Sequence, residues 1–448
     1  MKKLYKFSAF AALLMSVGLA SCNHEEADIF EHSAAQRTEE ARKMYNDILV
    51  DKGGKWQMEY YTTEEEPGYI YLFTFRKDGS VTISGHNKYI NMITSPDARG
   101  SKYGSETSMW TILSDNGPVL SFNTYNSIFH LFASPEDIPD TERDEQGYGH
   151  DGDYEFDLMK YSGDTLYLEG KKNGADIIMT RVAADVDDEV YMNEVVALAD
   201  SFFNAKIPTV YVNLPGGYRH VVLDGASQLP KFYPETGDYI TEWVGRNAII
   251  THDGFTLGKP LTLRDSIDGN DYTIQHFIRQ KDGSLLCSDD GKTTITADAL
   301  NAVATDKQLK WQVGTEMMGE LKAAYDAFVA QTKAKNYTLR NVQFLTAADK
   351  SDPQKYELLL KFRTKSGSTV DLLYYYHVTL NGKESFNMVF DGTSNSNGAS
   401  FKKTYTTIAD FIDKLQESTF TPTSSSRLAP ITMKWDAGNN GYFVVDVQ

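Results

Sequence analysis

Apolar positions along the chain follow two rhythms, and short helix-period stretches lead into longer stretches of strand-like alternation. Ala41, Met44, Tyr45, Ile48 and Leu49 share one helical face, with Ser33 placed upstream as a cap, and precede an alternating strand at Lys55–Tyr61. Val195, Leu198, Ala199, Phe202 and Phe203 repeat the pattern ahead of a strand at Thr209–Leu214. Met317, Leu321, Ala324, Tyr325, Phe328 and Val329 do so again ahead of Thr338–Leu345. A shorter fourth helix carries Ile408, Phe411, Ile412 and Leu415. The pattern predicts an α+β fold dominated by strands, with about three antiparallel β-meander units separated by helices. Its expected divisions are a leader at 1–21, a tether at 22–33, and β-rich units at 34–185, 186–312 and 313–448. The seams fall near Ala183–Asp188 and Thr305–Gly314, and Thr421–Ala429 reads as a plain loop.

Tight turns join the strands. Phe73-Thr74-Phe75-Arg76-Lys77-Asp78-Gly79-Ser80-Val81 is nearly restated by Phe277-Ile278-Arg279-Gln280-Lys281-Asp282-Gly283-Ser284-Leu285. Asp-Gly between alternating apolar residues is a strong hairpin signal, because glycine takes positive φ without a steric cost. The match reads either as an internal duplication or as two hairpins obeying one rule, and the second reading is preferred. Asp289-Asp290-Gly291, Asn381-Gly382 and Asn440-Gly441 mark further turns.

The first 22 residues change the picture more than the overall composition does. Lys2, Lys3 and Lys6 precede an apolar run from Phe7 to Ala20, and Leu19-Ala20-Ser21-Cys22 closes it. This is a secretory leader of the lipoprotein type, cut before Cys22, whose thiol carries the lipid. Several acyl chains at about 0.8 kcal/mol per buried CH₂ hold a protein on a membrane far more firmly than one. Asn23-His24-Glu25-Glu26-Ala27-Asp28 follows at once, and acids directly behind the lipidated cysteine resemble the surface-export signals of Bacteroidetes-type lipoproteins. The expected location is the outer membrane, lipid-anchored, with the protein exposed at the cell surface.

Loss of the leader and its lysines takes the formal charge from −18 to −21. A polyanion of this kind is a poor partner for nucleic acid or anionic lipid headgroups, which need basic patches. A 41% hydrophobic and 12% aromatic chain can bury a sizeable core. Cys22 and Cys287 are its two cysteines, so with Cys22 lipidated no internal disulfide forms, and Cys287 in Leu285-Leu286-Cys287 reads as a buried strand thiol.

The densest polar cluster runs from Asp140 to Glu155. Asp151, Asp153 and Glu155 are candidate cation ligands, spaced as calcium-binding oxygens can be. The twelve-residue calcium loop fits neither frame: counted from Asp151 its sixth position is Phe156, and counted from Asp144 the inner acids are Gln146 and Tyr148. An acidic hairpin loop is the preferred reading. Gly147-x-Gly149-x-x-Gly152 imitates a dinucleotide fingerprint, but the acids around it would repel a phosphate and strand-like alternation follows it. His24-Glu25-Glu26-Ala27-Asp28 lacks the second histidine of a zinc-protease helix, and the nine histidines form no i, i+4 pair. No phosphate loop or Gly-x-Ser-x-Gly elbow is present. No cofactor is implied, no catalytic residue is singled out, and the reading leans away from an enzyme. Tyr60-Tyr61, Tyr374-Tyr375-Tyr376-His377, Trp56, Trp110, Trp243, Trp311 and Trp435 offer rings for sugar stacking, with core packing the preferred role.

Several segments together carry a family resemblance. They are Trp56-Gln57-Met58-Glu59-Tyr60-Tyr61, Phe75 to Val81, Gly117-Pro118-Val119-Leu120-Ser121-Phe122-Asn123-Thr124-Tyr125-Asn126, Gly152-Asp153-Tyr154-Glu155-Phe156, Gly170-Lys171-Lys172 and Met179-Thr180-Arg181. With the Cys22 motif, they resemble an uncharacterised Bacteroidetes outer-membrane lipoprotein family, a domain of unknown function associated with SusC/SusD-like uptake loci. The resemblance covers residues 30 to about 200 and is looser beyond. It implies company with a TonB-dependent transporter and a SusD-like lipoprotein, and an accessory role in nutrient uptake with a glycan or peptide as ligand. A hydrolase with an unrecognised site and a structural or partner-docking subunit remain the alternatives.

Overall fold

The computed structural model describes residues 33–448 apart from 63–66, 95–99, 134–151, 204–206, 208–209, 224–228, 236–243, 306–308, 347–351, 353–354, 425 and 429. The Cys22 leader, Trp243 and the Asp140–Asp151 part of the acidic cluster lie outside the described residues.

The chain is β-dominated: two nine-stranded sheets are followed by a closed eight-stranded barrel. The α+β label and the three-meander description fit this arrangement only roughly. In the first sheet, strand Lys55–Tyr61 pairs with both the second strand, Tyr69–Phe75, and the ninth, Asp176–Arg181. The meander is therefore joined at its two ends and open between its fourth and fifth strands. The second sheet has the same order, with Val210–Asn213 paired to Arg219–Leu223 and to Thr294–Ala297. In the barrel, Trp311–Met318 closes against Tyr442–Val447. End-to-end closure is a long-range pairing that local alternation does not encode.

The helix signals resolve well. Ser33 caps helix Ala34–Val50 in a reciprocal box with Gln36, and Tyr45 and Leu49 enter the first core. Helix Asp188–Phe203 precedes the second sheet. Ile408, Phe411, Ile412 and Leu415 are all buried along helix Thr406–Glu417. One expectation is corrected: Met317 lies in barrel strand Trp311–Met318, and the helix begins only at Gly319. The expected boundary at 312/313 thus falls inside the barrel's first strand.

The two similar hairpins follow the same local chemistry. Asp78 accepts from the backbone and hydroxyl of Ser80, and Asp282 does the same for Ser284. Gly79 and Gly283 sit at φ of 83° and 77°. They join the second and third strands of one sheet but the seventh and eighth of the other, so they are not equivalent positions of a repeat.

Thr421–Ala429 is more than a plain loop. Its first residues belong to barrel strand Thr419–Thr423, and its later ones strap the barrel to the second sheet. Ala297 N–H donates to Arg427 O at 2.8 Å, and Arg427 N–H donates to Asp282 O at 2.7 Å. Leu428 is buried in the second sheet's own core.

The first and second sheets also meet closely. Strand Lys55–Tyr61 is buried on both faces: Trp56, Met58 and Tyr60 point into the first core, while Lys55, Gln57, Glu59 and Tyr61 line the contact side. Tyr191 donates its hydroxyl to Gln57 Oε1. Gly68 N–H donates to Ala248 O at 3.1 Å, and a Cβ at Gly68 would fall 2.7 Å from Ile249.

Candidate functional site

Where the strap crosses, the second sheet and the barrel enclose a cleft of about 490 Å³, within the size range of small-ligand sites. One wall carries Asn213, Arg219, Thr296 and Asp298, and the other carries Lys383, Glu384 and the hydroxyls of Thr421 and Thr423.

Strand pairing builds the first wall. Arg219 opens strand Arg219–Leu223, so its guanidinium reaches across the sheet. It donates to Glu235 Oε1 at 2.8 Å from Nε and to Asp298 Oδ2 at 2.7 Å, and it lies 4.2 Å over the Tyr211 ring. Burial alone would lower the Arg219 pKa, but the two carboxylates outweigh it and hold the group above its ordinary value. Such a pinned cation is a preorganised feature of the wall. Asn213 Nδ2 donates to Thr296 Oγ1 at 3.0 Å. On the opposite wall, Lys383 and Glu384 are exposed on a hairpin turn.

The cleft thus presents both signs of charge, a carboxamide and several hydroxyls, with neither a histidine nor a cysteine in its lining. That set can hold a polar ligand, but it supplies no nucleophile paired with a base. Among the described residues, no group of three or more histidine, cysteine or acidic side chains is placed to hold a metal.

The residues singled out from sequence lie outside this cleft. Asp153 is buried, and its carboxylate accepts from the backbone N–H groups of Lys172, Asn173 and Ala175 at 2.9–3.3 Å. Glu155 accepts from the Ser121 hydroxyl at 2.9 Å. The two acids therefore serve the turn at 171–175 and the neighbouring strand, while Asp151 lies outside the described residues. Trp56, Trp110, Trp311, Trp435, Tyr60, Tyr61, Tyr374 and Tyr376 are buried. Cys287 is also buried, with its thiol pKa pushed up to about 11 mainly by that burial. Arg219, Lys383 and Glu384 carried no signal of their own. The Asn381-Gly382 turn announced a projecting hairpin, but nothing in the sequence says what it faces.

The geometry defines a β-dominated protein with a polar cleft between its second sheet and its barrel. The chain belongs to the family described as Domain of unknown function (DUF4302), whose sequence profile matches residues 26–280. The match runs well past the expected limit near residue 200, through most of the second sheet. No curated protein matches the chain. Among the described residues, no helix is long and apolar enough to cross a membrane.

Proposed function

We propose that this chain is a lipoprotein anchored through Cys22 in a Bacteroidetes outer membrane and displayed at the cell surface. There it binds an extracellular glycan or peptide as an accessory to a TonB-dependent transporter and a SusD-like partner. The cleft beside Arg219 is the observation that carries the binding part of this reading: it is large enough for a small polar ligand and has polar groups on both walls. The leader, the Cys22 motif and the acids behind it support the anchor and its outward orientation. The β-rich units would serve as rigid walls for the site.

Three measurements test the reading. Cells fed an alkyne-tagged fatty acid should label the protein, and Cys22→Ala should abolish the label; protease added to intact cells should then digest the wild-type protein. The mature protein in detergent should bind members of a polysaccharide and peptide panel without releasing products, and Lys383→Ala with Glu384→Ala should weaken that binding. Product release would favour a hydrolase, and an absence of any ligand would favour a docking subunit.

A further inference from the structure

We propose that Tyr125 and Tyr154 form a second site, a platform on the first sheet that stacks against the ring of a neutral sugar. Among the described residues, three aromatic side chains are strongly exposed: Tyr125 (58%), Tyr154 (43%) and Tyr167 (41%). The first two meet one histidine. The His130 ring is stacked on Tyr154 at 5.4 Å and 27° and tilted against Tyr125 at 5.5 Å and 37°, so both exposed tyrosines rest against one histidine.

This cluster is held from beneath. His130 is buried, with Nδ1 accepting from Asn126 N–H at 3.1 Å and Nε2 2.8 Å from Phe122 O. Both ring nitrogens are therefore committed to backbone. Burial lowers the histidine's pKa, outweighing the neighbours that would raise it. Asn126, fully buried, fixes the backbone after Tyr125 by accepting from Ile128 and Phe129 N–H and donating to Glu106 O and Ser108 Oγ. Tyr154 sits between the Asp153 clamp and Glu155, and its carbonyl accepts from Phe122 N–H at 3.0 Å. Exposed rings on an immobilised backbone lose little freedom when a ligand lies on them.

The ligand class follows from the charge and the rings. An aromatic face is electron-rich and attracts the slightly positive C–H face of a pyranose. A nucleobase could stack equally well, but its phosphate backbone would meet a strongly acidic chain, of formal charge −18 with its leader and more negative without it. The platform shares no residue with the cleft, whose lining runs from Asn213 to Met433.

The test is electrophoresis of the detergent-solubilised mature protein through gels containing laminarin, xylan, dextran or galactomannan. Retardation in at least one gel is expected. Tyr125→Ala and Tyr154→Ala should each weaken it about tenfold. Tyr125→Phe and Tyr154→Phe, which keep the rings, should preserve most of it, and Tyr167→Ala, which removes the exposed ring outside both sites, should leave it unchanged. Unaltered melting temperatures would show that the alanine variants are folded. The platform is overturned if no gel retards the protein, if the double alanine variant is retarded like wild type, or if poly(U) binds and no polysaccharide does. Retardation lost in Lys383→Ala but kept in the tyrosine variants would also overturn it, placing the sugar in the cleft and leaving the capture reading intact.

Discussion

Lys55 Nζ lies 2.8 Å from Asp188 Oδ1, with the two side chains only 9% and 17% exposed, and this ion pair ties the first sheet to the helix that opens the second. Ser84 Oγ donates to the other Asp188 oxygen at 2.8 Å. Removing one partner leaves a charge in a site from which water is largely excluded, so Lys55→Met or Asp188→Ala should each destabilise the protein by about 3 kcal/mol. Replacing both with apolar residues should cost clearly less than the sum. Denaturant unfolding of the two single variants and the double variant closes this cycle.

Glu59 sets a pH dependence at the same contact. It is 7% exposed, and its carboxylate receives only long bonds, 3.4 Å from Tyr61 Oη and 3.4 Å from Gln57 Nε2. Burial pushes its pKa from 4.5 up to about 7, against the opposing pull of His276 and the two hydrogen bonds. Between those values the folded chain keeps a proton that the unfolded chain has released. The contribution of Glu59 to stability is therefore fully present below pH 4.5 and is lost as pH rises through 7. The loss should be on the order of 3 kcal/mol. Glu59→Gln should flatten this part of the stability–pH curve, as read by urea midpoints at pH 5 and pH 8.

Asp153 is expected to behave as a structural clamp. Asp153→Ala strands the N–H groups of Lys172, Asn173 and Ala175 and should cost about 3 kcal/mol. Calcium should leave the wild-type melting temperature unchanged, because the amides already occupy this carboxylate. A rise with added calcium would restore Asp151, Asp153 and Glu155 as a cation site.

The strap should control how firmly the barrel holds the second sheet. Leu428→Ala opens a cavity in that sheet's core and should cost about 2–4 kcal/mol. Gly283→Ala should also weaken the contact, since φ is +77° and a Cβ would stand 2.6 Å from Ser426 Oγ. Both variants should be cleaved near residue 425 by low protease concentrations that spare the wild type.

Cys287 should ignore a thiol reagent at pH 8 while the chain is folded and react at once in denaturant. Its pKa of about 11 and its burial remove both the thiolate and the access that the reaction needs.

What was legible in the sequence was local. Lys55–Tyr61 was recognised to the residue, the Ser33 cap and the Thr406–Glu417 helix face were plain, and the Asp-Gly turns formed as their chemistry requires. What stayed hidden depends on contacts between distant segments. Met317 has a helix-compatible period, yet pairing with Phe443 draws it into a strand. Leu428 stands in a Ser-rich stretch with no periodicity and is buried because another unit offers it a hole. Arg219 meets Asp298 across 79 positions, a separation no motif spans. Tyr125 and Tyr154 lie within segments that carry the family resemblance, but only the fold brings His130 against both of them.

The joined ends of the second sheet bear on what is inherited as one piece. The family match stops at residue 280, inside the hairpin before Leu285–Cys287 and Thr294–Ala297, and Thr294–Ala297 is the strand that returns to Val210–Asn213. A polypeptide cut there would expose the whole margin of Val210–Asn213, a template for pairing with other chains. The matched segment is thus shorter than the sheet it enters, and any truncation meant to keep the second sheet closed must run at least through Ala297.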